Sequence, residues 1–201
     1  MNNLYQFFTR DPAEFARRYI KYLGDVLASI YPDSISRFIG TLLDARSRGA
    51  NIFFIGNGGS AATASHFAND LSISTNSYDQ PFRAISLTDN TAILTSLGND
   101  LGYIHIFEYQ LRVLARRGDV LIGISASGNS PNILKAFDYA KTTGMKTLAL
   151  TAFDGGKLRK ISDDGIHVDT GSKEYGPAED AHMVLDHLIG AYLIRYVKEG
   201  D

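Results

Sequence analysis

The sequence predicts an α/β fold: a doubly wound, mostly parallel sheet of five strands with helices on both faces. Short apolar runs alternate with stretches of helical spacing about every 20–35 residues, a pattern that produces βαβ units and a sheet covered on both sides. At 201 residues, the chain falls near the size of one domain. We therefore expect a single domain over residues 1–201, with a helical extension in 1–48 and an α/β core in 49–201.

Two amphipathic helices are predicted ahead of the sheet. Apolar residues recur every three or four positions from Phe15 to Leu27, and again from Ile35 to Ala45, and Pro32 separates the two patterns. Their broad apolar stripes need a partner surface. We therefore expect these helices to take part in oligomer packing.

The elements of the core follow in order along the chain. Strands are predicted at 51–55, 83–87, 120–124, 147–150 and 165–168. Helices are predicted at 60–72, 91–97, 104–116, 131–143, 156–162 and 178–197. In such sheets ligands bind beyond the carboxyl ends of the strands, near a change in strand order. The loops that follow the strands are therefore where a functional site is expected.

Composition excludes several classes of function. The chain has no cysteine, which rules out thiolate catalysis and metal sites built on cysteine. The formal net charge of −2 shows no excess of basic residues of the kind that a nucleic-acid-binding protein carries. The longest run without Asp, Glu, Lys or Arg, residues 49–69, is too rich in glycine and polar residues to span a membrane. Because the N-terminus lacks the features of a signal peptide, we expect a cytoplasmic protein.

The loop after the first strand has the character of a phosphate-binding turn. It runs Gly56-Asn57-Gly58-Gly59-Ser60 and opens a helix, whose free N–H groups favour an anion. A loop that merely needs positive φ angles is the simpler reading. A dinucleotide fingerprint is the rival, but it requires an acidic residue about 20 residues further on, at the end of the next strand. Asp79 precedes that strand and Asp89 comes too late.

A second loop favours a phosphate monoester over a dinucleotide. Ser125-Ala126-Ser127-Gly128-Asn129-Ser130 follows the third strand and leads into a helix that begins with proline. Three hydroxyls at a helix start suit the three oxygens of a terminal phosphate. A serine-rich helix cap is the structural alternative. Since both loops follow strands of one sheet, we expect them to share one phosphate and no nucleotide cofactor.

These two loops closely resemble those of the sugar isomerase (SIS) domain family. The similarity extends over nearly the whole chain, and the nearest branch is that of the phosphoheptose isomerases, which convert sedoheptulose 7-phosphate to a glycero-manno-heptose 7-phosphate. The resemblance implies an aldose–ketose isomerase that acts on a phosphosugar. It also implies a homotetramer whose active sites use residues of neighbouring chains.

The resemblance implies a role for individual residues. Those expected to hold or surround the substrate are Asn57, Gly58, Ser60, Asp89, Ser125, Ser127 and Ser130. The residues expected to act in catalysis are His187, Asp70 and Glu179. A zinc ion, where one is bound, would be held by His66, Asp70, Glu179 and His187, which are two nitrogen and two carboxylate ligands.

An aldose–ketose isomerase that works through an enediol needs a base that removes a proton next to the carbonyl group and an acid that serves the neighbouring oxygen. His66 and Asp70 are four residues apart and can converge on one helix face. Glu179 and His187 lie about 80° apart around the last helix, at roughly 100° per residue, so they share a pocket only if Glu179 lies in a frayed first turn. A packing histidine, an exposed aspartate and an acidic helix start are the plain alternatives for His66, Asp70 and Glu179.

Two departures from the family pattern support a second hypothesis. Asp70 stands where the isomerases usually carry a glutamate, so its carboxylate reaches about 1.5 Å less far. A basic residue expected shortly after it is missing from residues 71–75. The alternative is a non-catalytic SIS module that senses a phosphosugar or binds a partner such as the replication initiator.

Overall fold

The computed structural model describes residues 2–200 and contains one parallel sheet in that range. Its strands are β1 (Asn51–Gly56), β2 (Arg83–Ser86), β3 (Val120–Ser125), β4 (Lys146–Thr151) and β5 (Asp164–His167). They lie in the order β2-β1-β3-β4-β5, and every neighbouring pair is parallel. The order changes direction between β1 and β3, so the carboxyl ends of these two strands form the switch point where ligands bind.

Helices cover the sheet and extend it at the N-terminus. They are α1 (Asn3–Gln6), α2 (Pro12–Ala28), α3 (Pro32–Ser47), α4 (Gly59–Asn69), α5 (Thr91–Asp100), α6 (Glu108–Leu114), α7 (Pro131–Thr143), α8 (Gly156–Ile161) and α9 (Tyr175–Glu199). A π-helical turn, Asp70–Ser74, continues α4, and a 3₁₀ turn, Tyr103–His105, precedes α6. The predicted fold class is confirmed, although the short helix α1 and the π-helical turn were not predicted.

The sheet separates two apolar layers. Ile52 and Phe54 of β1 face the layer formed with α3, α4 and α9, whereas Phe53 and Ile55 face the layer formed with α6 and α7. This division follows from the alternation of side chains along a strand. All four residues are fully buried, as expected for a central strand of a parallel sheet.

The last helix begins earlier than predicted. Apolar spacing and Pro177 predict a start near residue 178, but α9 begins at Tyr175. Proline is tolerated there because the first N–H groups of a helix have no partner within it. The consequence is that Glu179 lies in the second turn of a continuous helix rather than in a frayed first turn.

The N-terminal helices are anchored to the start of α9. The Tyr19 hydroxyl of α2 donates to the Asp180 carboxylate at 2.5 Å, and the Tyr22 hydroxyl donates to the Glu174 carboxylate just before α9. Within residues 2–200, no helix is both long and apolar enough to cross a membrane.

Candidate functional site

The first phosphate-type loop links β1 to α4. Gly58 adopts a positive φ of 56°, a backbone conformation that favours glycine, and α4 begins at the next residue. No side chain caps this helix start, so its first N–H groups remain available to a ligand. The buried Ser60 follows in the first turn, and its hydroxyl makes no recorded hydrogen bond among the described residues.

The second loop links β3 to α7 and is held in shape from within. The Ser125 hydroxyl accepts a hydrogen bond from the Gly128 N–H at 3.2 Å and lies 3.4 Å from the Ser130 hydroxyl. Gly128 has a φ of 62°, and a Cβ atom there would lie 1.9 Å from the Gly155 carbonyl oxygen. Ser130 precedes α7 without making a side-chain cap. Pro131 has no N–H and the Ile133 N–H donates to Asn132 Oδ1, so the N–H of Asn132 is the one left for a ligand at this helix start among the described residues.

A pair of asparagine side chains ties the two loops together. The Asn57 amide donates to Asn132 Oδ1 at 2.9 Å, and the Asn132 amide donates to Asn57 Oδ1 at 2.8 Å. Asn132 is buried in the first turn of α7. Asn57 therefore fixes the distance between the loops, and its amide is already occupied by this pairing and by the Tyr103 hydroxyl.

The loops enclose a small polar cavity of about 130 Å³. Its lining residues come from both loops and from α9: Asn57, Ser60, Ile124, Ser125, Ala126, Ser127, Ser130, Tyr175 and Glu179. Hydroxyl groups and unpaired helix N–H groups are donors suited to an anion, and no lysine or arginine lines the cavity. This arrangement fits a phosphate group held without a basic patch.

Glu179 closes the cavity from the α9 side. A Cβ atom on Gly59 would lie 2.2 Å from its Oε2, so glycine at that position lets the carboxylate rest against the start of α4. Burial, and secondarily the neighbouring Asp180, raise the pKa of the Glu179 carboxyl. The carboxyl therefore keeps its proton to a higher pH than an exposed glutamate does.

A second cluster forms where the later turns of α4 and α9 meet. It consists of His66 and Asp70 from α4 and its π-helical continuation, and Asp186 and His187 from α9. One candidate ligand atom from each lies within 4.8 Å of all the others. The Nε2 atoms of the two histidines are 3.1 Å apart, and His66 Nε2 is 3.5 Å from Asp70 Oδ2. We call these four residues the His/Asp group.

Local structure explains how Asp70 reaches this cluster. It begins the π-helical turn, a wider helical form that often occurs at functional sites. Its Oδ2 atom lies 3.7 Å from the position of a Cβ on Gly190, so the glycine leaves room for the carboxylate against α9. Asn69 and Ser74 donate to its other oxygen at 3.2 and 3.3 Å.

Asp186 was not predicted as a site residue. Its side chain is fully buried, and neither carboxylate oxygen has a hydrogen-bond partner among the described residues. Burial, and then the charge of Asp70, raise its pKa to about 8. An ion left unpaired in a protein interior costs several kcal/mol. The two imidazoles and two carboxylates of the His/Asp group can hold a divalent cation, which would satisfy these oxygens.

The other predicted site residues do not all lie in the cavity or in the His/Asp group. Glu179 is not a member of the His/Asp group and lies with the cavity. Asp89 follows β2, accepts hydrogen bonds from Ser65 and Ser86, and does not line the cavity. His187 is exposed at the rim rather than packed into the core, because it faces His66 across the two helices. His182 of α9 is fully buried, and its Nε2 atom lies 3.4 Å from the Thr151 carbonyl oxygen.

The chain matches a known protein family. A family model described as the SIS domain matches residues 18–152, which include both loops, His66 and Asp70. The chain belongs to the SIS domain family. The predicted resemblance is thereby confirmed for the fold and for the phosphate-type loops.

Individual relatives point to one branch of this family. A phosphoheptose isomerase of Burkholderia pseudomallei is 41% identical over 144 residues, which cover 71% of this chain and 72% of the relative. The structure of a phosphoheptose isomerase from Neisseria gonorrhoeae is 33% identical, with a TM-score of 0.76 over 92% of this chain and 96% of that one. One from Francisella tularensis is 28% identical, with a TM-score of 0.80 over 92% and 98%.

Proposed function

We propose that this SIS domain protein is an aldose–ketose isomerase that converts sedoheptulose 7-phosphate to D-glycero-D-manno-heptose 7-phosphate. The observation that carries the proposal is the pairing of a hydroxyl-lined cavity with a separate acid–base cluster along the same two helices. Similarity to phosphoheptose isomerases over more than two thirds of the chain supports the reaction class and the substrate.

The spacing of the two parts suits a long sugar. Glu179 at the cavity and His187 in the His/Asp group are eight residues apart, or about 12 Å along α9. Six carbon–carbon bonds of about 1.5 Å each, in a zigzag chain, span up to about 8 Å before the phosphate is added. A seven-carbon sugar with its phosphate in the cavity can therefore present its carbonyl end to the His/Asp group.

The residues take distinct roles in the proposed reaction. Ser60, Ser125, Ser127 and Ser130 donate hydrogen bonds to the phosphate together with the N–H groups that begin α4 and α7. Asp70 removes the proton from C1 of the ketose and returns it to C2 of the enediol. His187 moves the accompanying proton from O1 to O2. Glu179 lies beside the cavity and orients the substrate, with Asn57, Gly58 and Asp89 shaping the surrounding loops.

A metal ion is included in the proposal. His66, Asp70 and His187 would hold zinc, and the prediction that Glu179 completes the set remains a prediction. When bound, zinc polarises a substrate carbonyl oxygen as a Lewis acid. The proposal includes no nucleotide cofactor.

The proposal also extends to assembly and location. Large apolar side chains are exposed in the N-terminal helices and the segment between them (Tyr5, Phe8 and Ile20) and along one face of α9 (Leu188 and Tyr192). Exposed apolar surface of this extent marks an interaction site. We propose a homotetramer in the cytoplasm whose active sites lie at subunit interfaces; light scattering that returned a monomer would contradict the assembly.

A substrate panel tests the function. The purified chain, with and without added zinc, is incubated with ketose phosphates of five, six and seven carbons and with unphosphorylated sedoheptulose. We expect turnover to be greatest with sedoheptulose 7-phosphate and to be lost without the phosphate. Tight binding of the phosphosugar without turnover, unchanged by Asp70→Asn or His187→Ala, would instead support the sensor hypothesis, which rests on the shorter carboxylate at position 70.

A further inference from the structure

Asp186 is a carboxylate whose buried position has no explanation within the fold. It lies in the middle of α9, is fully buried, and has no hydrogen-bond partner for either oxygen among the described residues. The residues on its side of the helix, Ile189 and Leu193, are apolar and fully buried. A side chain that only filled this space would be apolar, so the retained carboxylate indicates a ligand outside the protein.

The surroundings of Asp186 identify the class of that ligand. Its free oxygens face three other donors, from His66, Asp70 and His187, all within 4.8 Å of one another. In a tetrahedral zinc site, bonds of about 2.0–2.1 Å place the donor atoms about 3.3 Å apart. The measured separations of 3.1 Å between the histidines and 3.5 Å between His66 and Asp70 agree with that spacing.

Charge gives a second, independent indication. Two carboxylates on facing helices repel one another when both are ionised, and a divalent cation between them neutralises both. The two imidazoles supply neutral nitrogen ligands without adding charge. With Asp186 as a ligand, the two carboxylates of the group balance the charge of a divalent cation.

Glu179 is placed less well for this role. It lies seven residues before Asp186 on α9, about 10 Å along the helix axis, and its carboxylate rests against Gly59 at the opposite end of α4. It lines the phosphate cavity instead.

We propose that Asp186 is a protein ligand of the divalent metal ion bound by His66, Asp70 and His187. In this chain the metal ion would then be coordinated by two aspartate carboxylates, Asp70 and Asp186, of which the second comes from α9. The inference takes its metal from the proposed function but can be tested without any substrate.

The test is zinc binding by the full-length chain. Metal-free protein is titrated with zinc in the presence of a chelator of known affinity, and the affinity and stoichiometry are measured. We expect Asp186→Asn to weaken zinc binding by at least about 100-fold, beyond the 10–100-fold that loss of an outer-shell partner costs. The matched variant Asp25→Asn, at an exposed aspartate of α2 that pairs with Lys21, should change the affinity by less than about threefold.

Two further measurements keep the outcome unambiguous. Asp186→Leu removes the carboxylate while filling its space with an apolar group, and should lose zinc affinity as strongly as Asp186→Asn while keeping the circular dichroism spectrum of the parent. The visible spectrum of the Co²⁺-loaded parent should show the intense bands of a four-coordinate site, and these should weaken in both Asp186 variants but persist in Asp25→Asn.

Either of two results would overturn the inference: Asp186 variants that bind zinc as the parent does, or a parent that binds no zinc. Turnover of sedoheptulose 7-phosphate is measured separately. A parent that binds zinc through Asp186 but shows no turnover would contradict the proposed function and support the metal assignment. A parent that isomerises the sugar but binds no zinc would support the proposed function and contradict the metal assignment.

Discussion

The two ends of the α4–α9 helix pair differ in how they interact with a ligand. At the start of α4, the cavity offers hydroxyls and backbone N–H groups, and its one carboxyl, Glu179, has a raised pKa. At the far end, the His/Asp group offers two imidazoles and two carboxylates. The first end suits binding of an anion and the second suits proton transfer and metal binding. A substrate that spans both ends is held by one and transformed by the other.

The largest expected effect is at the reactive end. Asp70→Asn keeps the size of the side chain but removes the base and a metal ligand. General acid–base groups contribute about 10²–10⁴-fold, so we expect kcat with sedoheptulose 7-phosphate to fall by roughly 10³-fold. The dissociation constant of the phosphosugar should change less than about threefold, because the cavity is intact.

Steady-state kinetics and equilibrium binding on the same preparation separate these effects, with Asp70→Glu as the control that retains a carboxylate. If Asp70→Asn weakened binding of the phosphosugar but left kcat unchanged, the division between the two ends would be wrong.

The next effect concerns the histidine of α9 that lies between Glu179 and Asp186 in the sequence. Burial lowers the pKa of His182 to about 4, against an ordinary value of about 6.5. Below pH 6.5, His182 takes up a proton in the unfolded chain but stays neutral in the folded protein. Its contribution to the free energy of unfolding is therefore fully present above pH 6.5 and is lost as the pH falls toward 4. At 1.36 kcal/mol per unit, the loss attributable to His182 is about 3 kcal/mol.

Urea unfolding of the parent and of His182→Leu between pH 7 and 4 measures this contribution. The difference between the two pH profiles isolates His182, since other titrating groups are common to both proteins. The free energy of unfolding of the parent should fall more steeply than that of the variant. Parallel profiles would show that His182 is not held neutral in the folded protein.

A smaller effect is expected at the binding end. The Ser60 hydroxyl faces the cavity and makes no recorded hydrogen bond to the described part of the chain. A hydrogen bond to a charged group contributes about 1.5–3 kcal/mol, so Ser60→Ala should weaken phosphosugar binding by roughly 10–100-fold. Zinc affinity should remain that of the parent.

Isothermal titration with the phosphosugar and with zinc gives both values. Ser47→Ala is the matched control, because Ser47 lies at the exposed end of α3 and bonds only within its own helix. Equal affinities for Ser60→Ala and Ser47→Ala would remove Ser60 from the proposed phosphate site.

The smallest effect concerns the bridge between the loops. Asn132→Ala removes both hydrogen bonds of the Asn57–Asn132 pair, each worth about 0.5–1.5 kcal/mol. We expect the free energy of unfolding to fall by about 1–2 kcal/mol, with KM raised a few-fold. A double-mutant cycle with Asn57→Ala measures the coupling, and strictly additive effects would show that the pair does not join the loops.

The difference between the two ends of the α4–α9 helix pair also explains which parts of the site could be predicted from the sequence. The cavity is built from two contiguous segments that each follow a strand, so their glycines, serines and helix starts could be read locally. The His/Asp group depends on how α4 packs against α9. His66, Asp70, Glu179 and His187 were all predicted as metal ligands through the family resemblance. The structure brings His66, Asp70 and His187 together, and Glu179 lines the cavity, so its place among the ligands stays a prediction.

Asp186 is the residue of the His/Asp group that the sequence did not predict. It lies on the same side of α9 as His182, Ile189 and Leu193, all fully buried. A carboxylate in such a stripe is a signal, because aspartate is seldom buried without a partner. That signal appears only once the buried face of α9 is known, and the sequence places Asp186 beside His187 without showing which way either side chain turns.

The proposed reaction moves a proton between two carbons of one sugar, and proton nuclear magnetic resonance in D₂O follows that transfer. Sedoheptulose 7-phosphate is incubated with the zinc-loaded parent, and deuterium is followed at C1 and C2. The predicted result is formation of the aldose with deuterium at C2, at a rate that falls together with kcat in Asp70→Asn. Tight binding of the phosphosugar with no deuterium incorporated at either carbon would contradict the account.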